Sequence, residues 1–295
     1  MLYFLLKKLS FGGNMIYLVI AVIVSSLVAI LMRLSEKHVT NNFAMFAANY
    51  FVCSLIAFLF TENKNVFAPH EGLSFALILG LVSGCLYLTC FVLLKQNIHR
   101  NGVMLASVFM KLGVLVPVIM AIVFFREAPT AFQIIGFVLA VLAIVIIYME
   151  PSGEKRGLSL TSLLLLLLLL VSGLTESMAN IYDKLGNAGI KDNFLFFNFA
   201  TAFVLAVSVT IIGRKKITPK DILFGVMIGV PNYFCSRFLL LSLGSLPAFV
   251  VYPIYNVGAI VLIGVAGLFI FREKLSSRKA IGYGLIIAAL ILLNI

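Results

Sequence analysis

The chain contains one short segment twice, and this duplication constrains its fold more than any other feature. The first copy is Phe-Arg-Glu at 125–127, and an Ile-Gly pair at 135–136 ends nine residues beyond the glutamate. The second copy is Phe-Arg-Glu at 271–273, with Ile-Gly again at the same spacing. Each copy lies between two apolar runs, and the offset of 146 residues is almost half of the 295-residue chain. The sequence therefore predicts two related halves.

The composition excludes an ordinary soluble fold. Hydrophobic residues make up 62% of the chain and charged residues 11%, against about 45–50% and about 25% in soluble domains. A soluble fold of this length cannot bury so much apolar surface, so the chain is expected to lie in a lipid bilayer. The net charge of +11 does not indicate nucleic-acid binding, because the basic residues are scattered through short loops between apolar runs.

Ten apolar runs reach or approach the roughly 20 residues that a helix needs to cross the hydrocarbon core. Numbered as spans 1 to 10, they are residues 15–33, 43–61, 73–94, 103–125, 131–149, 160–182, 194–212, 222–243, 248–270 and 280–295. Because each half holds five spans, an odd number, the two halves must be inserted in opposite orientations. The predicted fold class is an all-α integral membrane protein with ten transmembrane helices, arranged as two inverted five-helix repeats.

These spans predict an N-terminal extension at 1–14, a first five-helix repeat at 15–150 and a second at 151–295. Counted with Arg33 at the end of span 1, the five odd-numbered loops hold 14 Lys and Arg residues, and the four even-numbered loops hold 4. Because cytoplasmic loops carry the excess of basic residues, the odd-numbered loops are predicted to be cytoplasmic and both termini to lie outside. Lys7 and Lys8 argue against this orientation.

The ten-span pattern, with a Phe-Arg-Glu turn before the last span of each half, resembles the drug/metabolite transporter superfamily and most closely its ten-helix EamA-type branch. The resemblance covers essentially the whole chain past Met15. It implies a multi-pass protein of the cell (inner or plasma) membrane, with alternating access and a substrate cavity lined mainly by spans 3, 4, 8 and 9. Such families carry amino acids, nucleotide sugars, phosphorylated sugars and amphiphilic drugs, and the resemblance does not choose among them.

Three ionisable residues lie inside the spans: Lys111 in span 4, Glu176 in span 6 and Arg237 in span 8. Each costs at least about 2.5–3.5 kcal/mol unless it faces a partner or a wet cavity. Glu176 lies seven residues before Asp183 and Arg237 seven residues before Gly244, and Asp183 and Gly244 each directly follow a span. Glu176 and Arg237 are therefore about 10 Å deep and are expected to meet. Either they form a structural ion pair, or Glu176 exchanges a proton or gates substrate entry.

Lys111 lies about 15 Å from Asn101 along its helix, near the midplane where inverted-repeat transporters place their sites. Ser107 shares its helix face one turn earlier, and Pro117 predicts a kink in the same span. We predict that Lys111 and Ser107 contact substrate; the alternative for Lys111 is pairing with Glu176 or with backbone carbonyls. Two cations against one acid would leave the cavity net positive, which favours an anionic or carboxylate-bearing substrate.

Polar stripes on three further spans complete the predicted substrate site. In span 9 the stripe follows i, i+3, i+4 spacing, which puts its members on one helix face; helix–helix hydrogen bonding is the alternative. A second stripe lies beside Arg237 in span 8, and span 3 offers a tyrosine at a matching place in the repeat, where simple packing is the alternative. The members are Tyr252, Tyr255 and Asn256 in span 9, Tyr233 and Arg237 in span 8 and Tyr87 in span 3.

Two glycine pairs mark close helix packing. Gly80 and Gly84 in span 3, and Gly225 and Gly229 in span 8, have the small-xxx-small spacing that lets transmembrane helices approach closely.

The sequence shows no metal-ligand set, nucleotide-binding loop or catalytic cluster, so no metal, cofactor or enzymatic activity is expected. The predicted function is secondary transport of a small polar metabolite, amino-acid-like or anionic, by alternating access. The alternatives are a lipid-linked sugar flippase, a multidrug exporter, which the absence of tryptophan disfavours, and a membrane-embedded enzyme acting on lipids. The expected partners are the substrate, the lipid bilayer and a coupling proton, for a monomer that binds no nucleic acid.

Overall fold

The computed structural model describes residues 2–62, 64–101, 103–148, 160–269 and 277–293, and within these ranges it contains helices and no β-strand. The helices are α1 (Leu2–Ser35), α2 (Asn42–Phe60), α3 (Leu73–Asn101), α4 (Val103–Leu112), α5 (Leu115–Val123), α6 (Ala131–Tyr148), α7 (Leu160–Leu185), α8 (Lys191–Gly213), α9 (Pro219–Leu243), α10 (Ala248–Phe269) and α11 (Ser277–Leu293). A short 3₁₀ helix, Ala188–Ile190, precedes α8.

The all-helical membrane class is confirmed. Seven helices in the described ranges are long and apolar enough to cross a bilayer, and three shorter apolar helices occupy spans 4, 5 and 10. In chain order these ten helices correspond to the ten predicted spans. The second copy of the repeated segment (271–273), the boundary between the predicted halves (150–151) and the last two residues lie outside the described ranges.

Span 4 is broken into α4 and α5 directly after the residue pair Lys111-Leu112. Pro117 has no N–H to donate to the carbonyl of Gly113, and its ring crowds that carbonyl. The backbone responds with tighter bonds, because the N–H groups of Gly113 and Val114 donate three residues back at 3.2 and 3.3 Å. The predicted kink is therefore present, and it lies next to Lys111.

The segment predicted as an N-terminal extension is helical, because α1 begins at Leu2. The part of α1 that is long and apolar enough to cross a bilayer is Met15–Ser35, which agrees with the predicted start of span 1.

The helices form two compact units. Unit 1 comprises Met1–Leu88 and Met178–Ser245, and unit 2 comprises Thr89–Ser177 and Leu246–Ile295. The division falls inside α3 and α7, each of which contributes to both units. Each unit thus combines segments from both halves of the sequence.

In unit 1, α2 packs against α8 and α9, and α9 also packs against α1. A methyl group on Gly80 of α3 would lie 2.6 Å from the Cβ of Phe197 on α8, and Gly84 has equally little room against the same helix. Gly225 and Gly229 of α9 are just as close to α2. The predicted close packing at both glycine pairs is therefore confirmed.

A buried carboxylate connects the α1–α2 loop to the start of α9. Asp221 is fully buried. Its Oδ1 accepts from the N–H groups of Thr40 at 2.8 Å and Asn41 at 3.3 Å. Its Oδ2 accepts from the N–H of Thr218 at 2.8 Å, and Thr218 Oγ1 accepts from the N–H of Asp221, which completes a capping box. One side chain thus satisfies donors from two segments.

Replacing Asp221 with alanine is expected to lower the free energy of unfolding by about 1–2 kcal/mol, because a helix cap and a loop anchor are lost together. Equilibrium unfolding in mixed micelles with increasing SDS measures this change. Thr218→Ala is the matched control, since it removes one side of the capping box and leaves the loop anchored. Equal losses in the two variants would show that the contact with Thr40 and Asn41 contributes nothing.

In unit 2, α6 packs against α11, and α10 packs against α5, α6 and α11. The α4–α5 junction packs against α7 at a pair of glycines. A methyl group on Gly173 would lie 2.5 Å from the carbonyl oxygen of Gly113. The hydroxyl of Ser172 donates to the carbonyl of Met110 at 3.1 Å. The broken helix and α7 are therefore in backbone-to-backbone proximity.

Candidate functional site

The contact between the α4–α5 junction and α7 places two charged residues near each other. Lys111 follows Met110, whose carbonyl binds Ser172. Glu176 follows Ser172 by one helical turn and lies on the same face of α7. The close contact between Gly113 and Gly173 therefore helps to determine where both charged side chains lie.

Asn256 of α10 connects these two charges. The Nζ of Lys111 donates to Asn256 Oδ1 at 3.4 Å, and Asn256 Nδ2 donates to Glu176 Oε2 at 3.0 Å. Asn256 is 1% exposed, whereas Lys111 and Glu176 are half-buried. An amide is suited to this position because it accepts a hydrogen bond from the base and donates one to the acid. Three helices thus contribute one continuous polar chain, Lys111–Asn256–Glu176, within unit 2.

Tyr252 holds the same region together from one turn away on α10. Its side chain is fully buried, and its hydroxyl donates to the backbone carbonyl of Glu176 at 2.7 Å. The carbonyl of Tyr252 in turn accepts from Asn256 Nδ2 at 3.3 Å. Tyr252 therefore positions the acid and the amide, and its contact with substrate stays a prediction.

Two other predicted members of this site are less defined. Tyr255 is half-buried on α10. Ser107 lies on α4, and its side chain is outside the part of the structure that is described.

The sequence predicts an ion pair between Glu176 and Arg237, but the structure gives each of these side chains a different partner. Arg237 Nη1 binds Asp192 Oδ1 and donates to the hydroxyl of Tyr233 at 2.8 Å. Glu176 accepts from Asn256 instead. Counting residues from a span end estimates depth only, and depth does not determine which helix a side chain faces.

Asp192 is the charged residue that sequence reasoning missed. It lies in the first turn of α8, where an acid is a common complement to the helix dipole, so its place in the sequence gives no sign of a more distant partner. Asp192 places an acid beside Arg237 that the sequence argument for a net positive cavity does not include, and the positive cavity stays a prediction. Within unit 2, Lys111 and Glu176 carry opposite charges.

The remaining predicted residues lie in unit 1. Tyr233 is fully buried, and Arg237 is stacked over Phe60, with the guanidinium carbon 4.2 Å from the ring centroid. Tyr87 packs edge-on against Tyr50 at a centroid distance of 6.4 Å. The eight predicted substrate contacts and Glu176 are thus divided between the two units.

The apolar helices of the described ranges define a multi-pass membrane protein. Residues 13–149 match the EamA-like transporter family, which confirms the resemblance seen in the sequence over that part of the chain.

Two further likenesses extend over nearly the whole chain. An uncharacterized protein of Haemophilus influenzae is 22% identical over 275 residues, which cover 90% of this chain and 92% of that protein. A known crystal structure superposes with a TM-score of 0.73 over 95% of this chain and 96% of that chain, at 13% identity. Such a low identity shows a shared fold alone.

Proposed function

We propose that this protein is a secondary transporter of a small zwitterionic metabolite with an amino-acid-like pair of charges, moved by alternating access. The observation that carries the proposal is the Lys111–Asn256–Glu176 chain. A base and an acid near each other inside an apolar helical bundle are costly unless they serve a ligand or each other. Here they are bridged by an amide rather than directly paired.

A zwitterion fits this arrangement by charge. Its carboxylate binds the Lys111 ammonium and its ammonium binds the Glu176 carboxylate, so no charge is desolvated without a partner. Without substrate, the Asn256 amide hydrogen-bonds both charged groups: its oxygen accepts from Lys111, and its nitrogen donates to Glu176. Substrate replaces these contacts with charge-assisted hydrogen bonds, which are about twice as strong as neutral ones. A simple anion or cation would leave one of the two protein charges unmatched.

We assign the coupling proton to Glu176. Glu176 is the acid of the Lys111–Asn256–Glu176 polar chain. Its carboxylate accepts a hydrogen bond from the Asn256 amide rather than directly from Lys111. Protonation there would cancel the attraction for a substrate ammonium, so proton binding and substrate binding would compete at one carboxylate. Competition of this kind couples the two in an exchanger.

The proposal includes two inverted repeats as the frame of the transporter. It is supported by the two glycine pairs, which are 145 residues apart in sequence, since 225 − 80 and 229 − 84 both give 145. Gly80 and Gly84 on α3 contact α8, and Gly225 and Gly229 on α9 contact α2. In span numbers these contacts are 3 with 7 and 8 with 2, which are equivalent under the repeat.

Ligand-dependent thermal unfolding of the detergent-purified protein tests the proposal. We expect neutral amino acids to raise the unfolding midpoint of the wild type, since a ligand at about 100 times its Kd adds about 2.7 kcal/mol to stability. Lys111→Met, which keeps the length of the side chain and removes its charge, is expected to lose this shift. Dicarboxylates, sugar phosphates and organic cations complete the panel.

Lys64→Met is the matched control, because Lys64 is an exposed lysine whose Nζ binds carbonyl oxygens at the end of α2. It should respond to ligand like the wild type. Stabilisation by organic cations or by sugar phosphates alone would reject the zwitterion and favour the multidrug or flippase alternative, respectively. An unchanged ligand shift in Lys111→Met would remove Lys111 from the site.

A further inference from the structure

Arg237 in unit 1 is only partly satisfied by its protein partners. Its Nη1 makes both of its hydrogen bonds, to Asp192 Oδ1 and to the hydroxyl of Tyr233. Nε and Nη2 have no hydrogen-bond partner among the described residues, and 22% of the side chain is exposed. A guanidinium binds a carboxylate best through two parallel N–H groups. One accessible donor edge of Arg237 is therefore open.

Asp192 does not perform the usual task of an acid in a first helical turn. The N-cap of α8 is Ile190, which makes no side-chain cap, and no hydrogen bond joins the Asp192 carboxylate to a backbone N–H in the described ranges. Its Oδ1 instead lies at Arg237 and accepts from Tyr233 at 3.4 Å, and 24% of its side chain is exposed. Only one oxygen of the Asp192 carboxylate, Oδ1, therefore binds the Arg237 guanidinium.

The guanidinium itself is held in a fixed place. Its carbon lies 4.2 Å from the centroid of the Phe60 ring, and its Nη1 is bound by Tyr233, which is fully buried. Neither of these two contacts involves Asp192. The anion-binding geometry of Arg237 therefore does not depend on the acid that now fills part of it.

We propose that Arg237 is a binding site for a small carboxylate anion, and that Asp192 is its internal competitor. The carboxylate of a ligand takes the guanidinium when it displaces Asp192 or when Asp192 is protonated. This inference is independent of the proposed Lys111 site, because it involves only residues of unit 1.

The charged and titratable groups around Asp192 are few. Glu62, after α2, and Tyr182, on α7, are within electrostatic range, in addition to Tyr233 and Arg237 of α9. The adjacent Lys191 binds Asp183 at 3.2 Å. Of this set, Asp192 is the acid whose carboxylate hydrogen-bonds Arg237, so its protonation is the event that releases the guanidinium.

The test is ¹⁹F NMR of trifluoroacetate binding to the full-length protein in phosphatidylcholine nanodiscs. This probe stays ionised at every pH used, so a pH effect reports on the protein. We expect Asp192→Asn to bind the probe about tenfold more tightly than the wild type at neutral pH, since one charge-assisted competitor is lost. Wild-type binding should rise as the pH falls, and Asp192→Asn binding should be independent of pH.

Two variants control for net charge alone. Asp183→Asn and Glu62→Gln each remove a nearby acid that does not bind Arg237, and both should bind the probe like the wild type. Arg237→Gln should abolish binding at this site. The proposal is overturned if Asp192→Asn binds no more tightly than Asp183→Asn, or if Arg237→Gln retains binding. Should Asp192→Asn fail to fold, the wild-type series alone decides, because unchanged binding on acidification rejects the competitor.

Discussion

Replacing both Lys111 and Glu176 is expected to cost less stability than the sum of the two single replacements. Lys111→Met leaves the acid without its base, and Glu176→Gln leaves the base without its acid, so each single variant loses up to about 3 kcal/mol. The double variant leaves no unmatched charge. We expect a coupling energy of about 1–3 kcal/mol from the double-mutant cycle, measured as free energies of unfolding in mixed micelles.

Asn256→Leu tests whether the amide carries this coupling. In that background the two charges have lost their common hydrogen-bond partner, so the coupling energy should shrink. A cycle between Lys111 and Glu127 is the matched control, because Glu127 is another half-buried acid of unit 2 whose Oε2 accepts from the N–H of Phe249. That cycle should be additive within about 0.5 kcal/mol. Additive effects of Lys111 and Glu176 would contradict the polar chain.

Valine at Gly225 is expected to lower the free energy of unfolding by about 3 kcal/mol or more, because the added side chain overpacks a helix contact. Its Cβ would lie against the carbonyl oxygen of Met45 and the Cβ of Ala48 on α2. Neither group is the end of a flexible side chain, so the two helices would have to separate. The fraction of folded protein and the unfolding midpoint in detergent measure the loss.

Gly284→Ala is the control for a glycine-to-alanine change within a helix. No heavy atom lies within 4 Å of the Cβ that it would add on α11, so a gain of up to about 1 kcal/mol from helix propensity is expected. Gly80→Val should resemble Gly225→Val, because the two glycines occupy equivalent contacts in the proposed repeat. Tolerance of valine at Gly80 combined with intolerance at Gly225 would argue against equivalent packing.

The sequence predicts which polar residues form much of the candidate site. Lys111, Glu176 and Asn256 are the polar chain, and each was identified because a charge or an amide inside an apolar run is costly and needs a reason. Their partners were not accessible in the same way. The sequence predicts substrate contact for Lys111, with pairing to Glu176 or to backbone carbonyls as the alternative, and it matches Glu176 to Arg237 by depth.

The sequence by itself determined the membrane class, the helices and their order, because twenty-residue apolar runs and the prolines and glycines between and within them act locally. Only the tertiary structure decided which charges meet. Asp192 looks like an ordinary helix-start acid until α9 brings Arg237 to it, and Asn256 looks like one member of a stripe until α4 and α7 approach it from two sides. The physical reason is that depth and helix face are properties of one helix, whereas a hydrogen bond depends on the rotation and spacing of two.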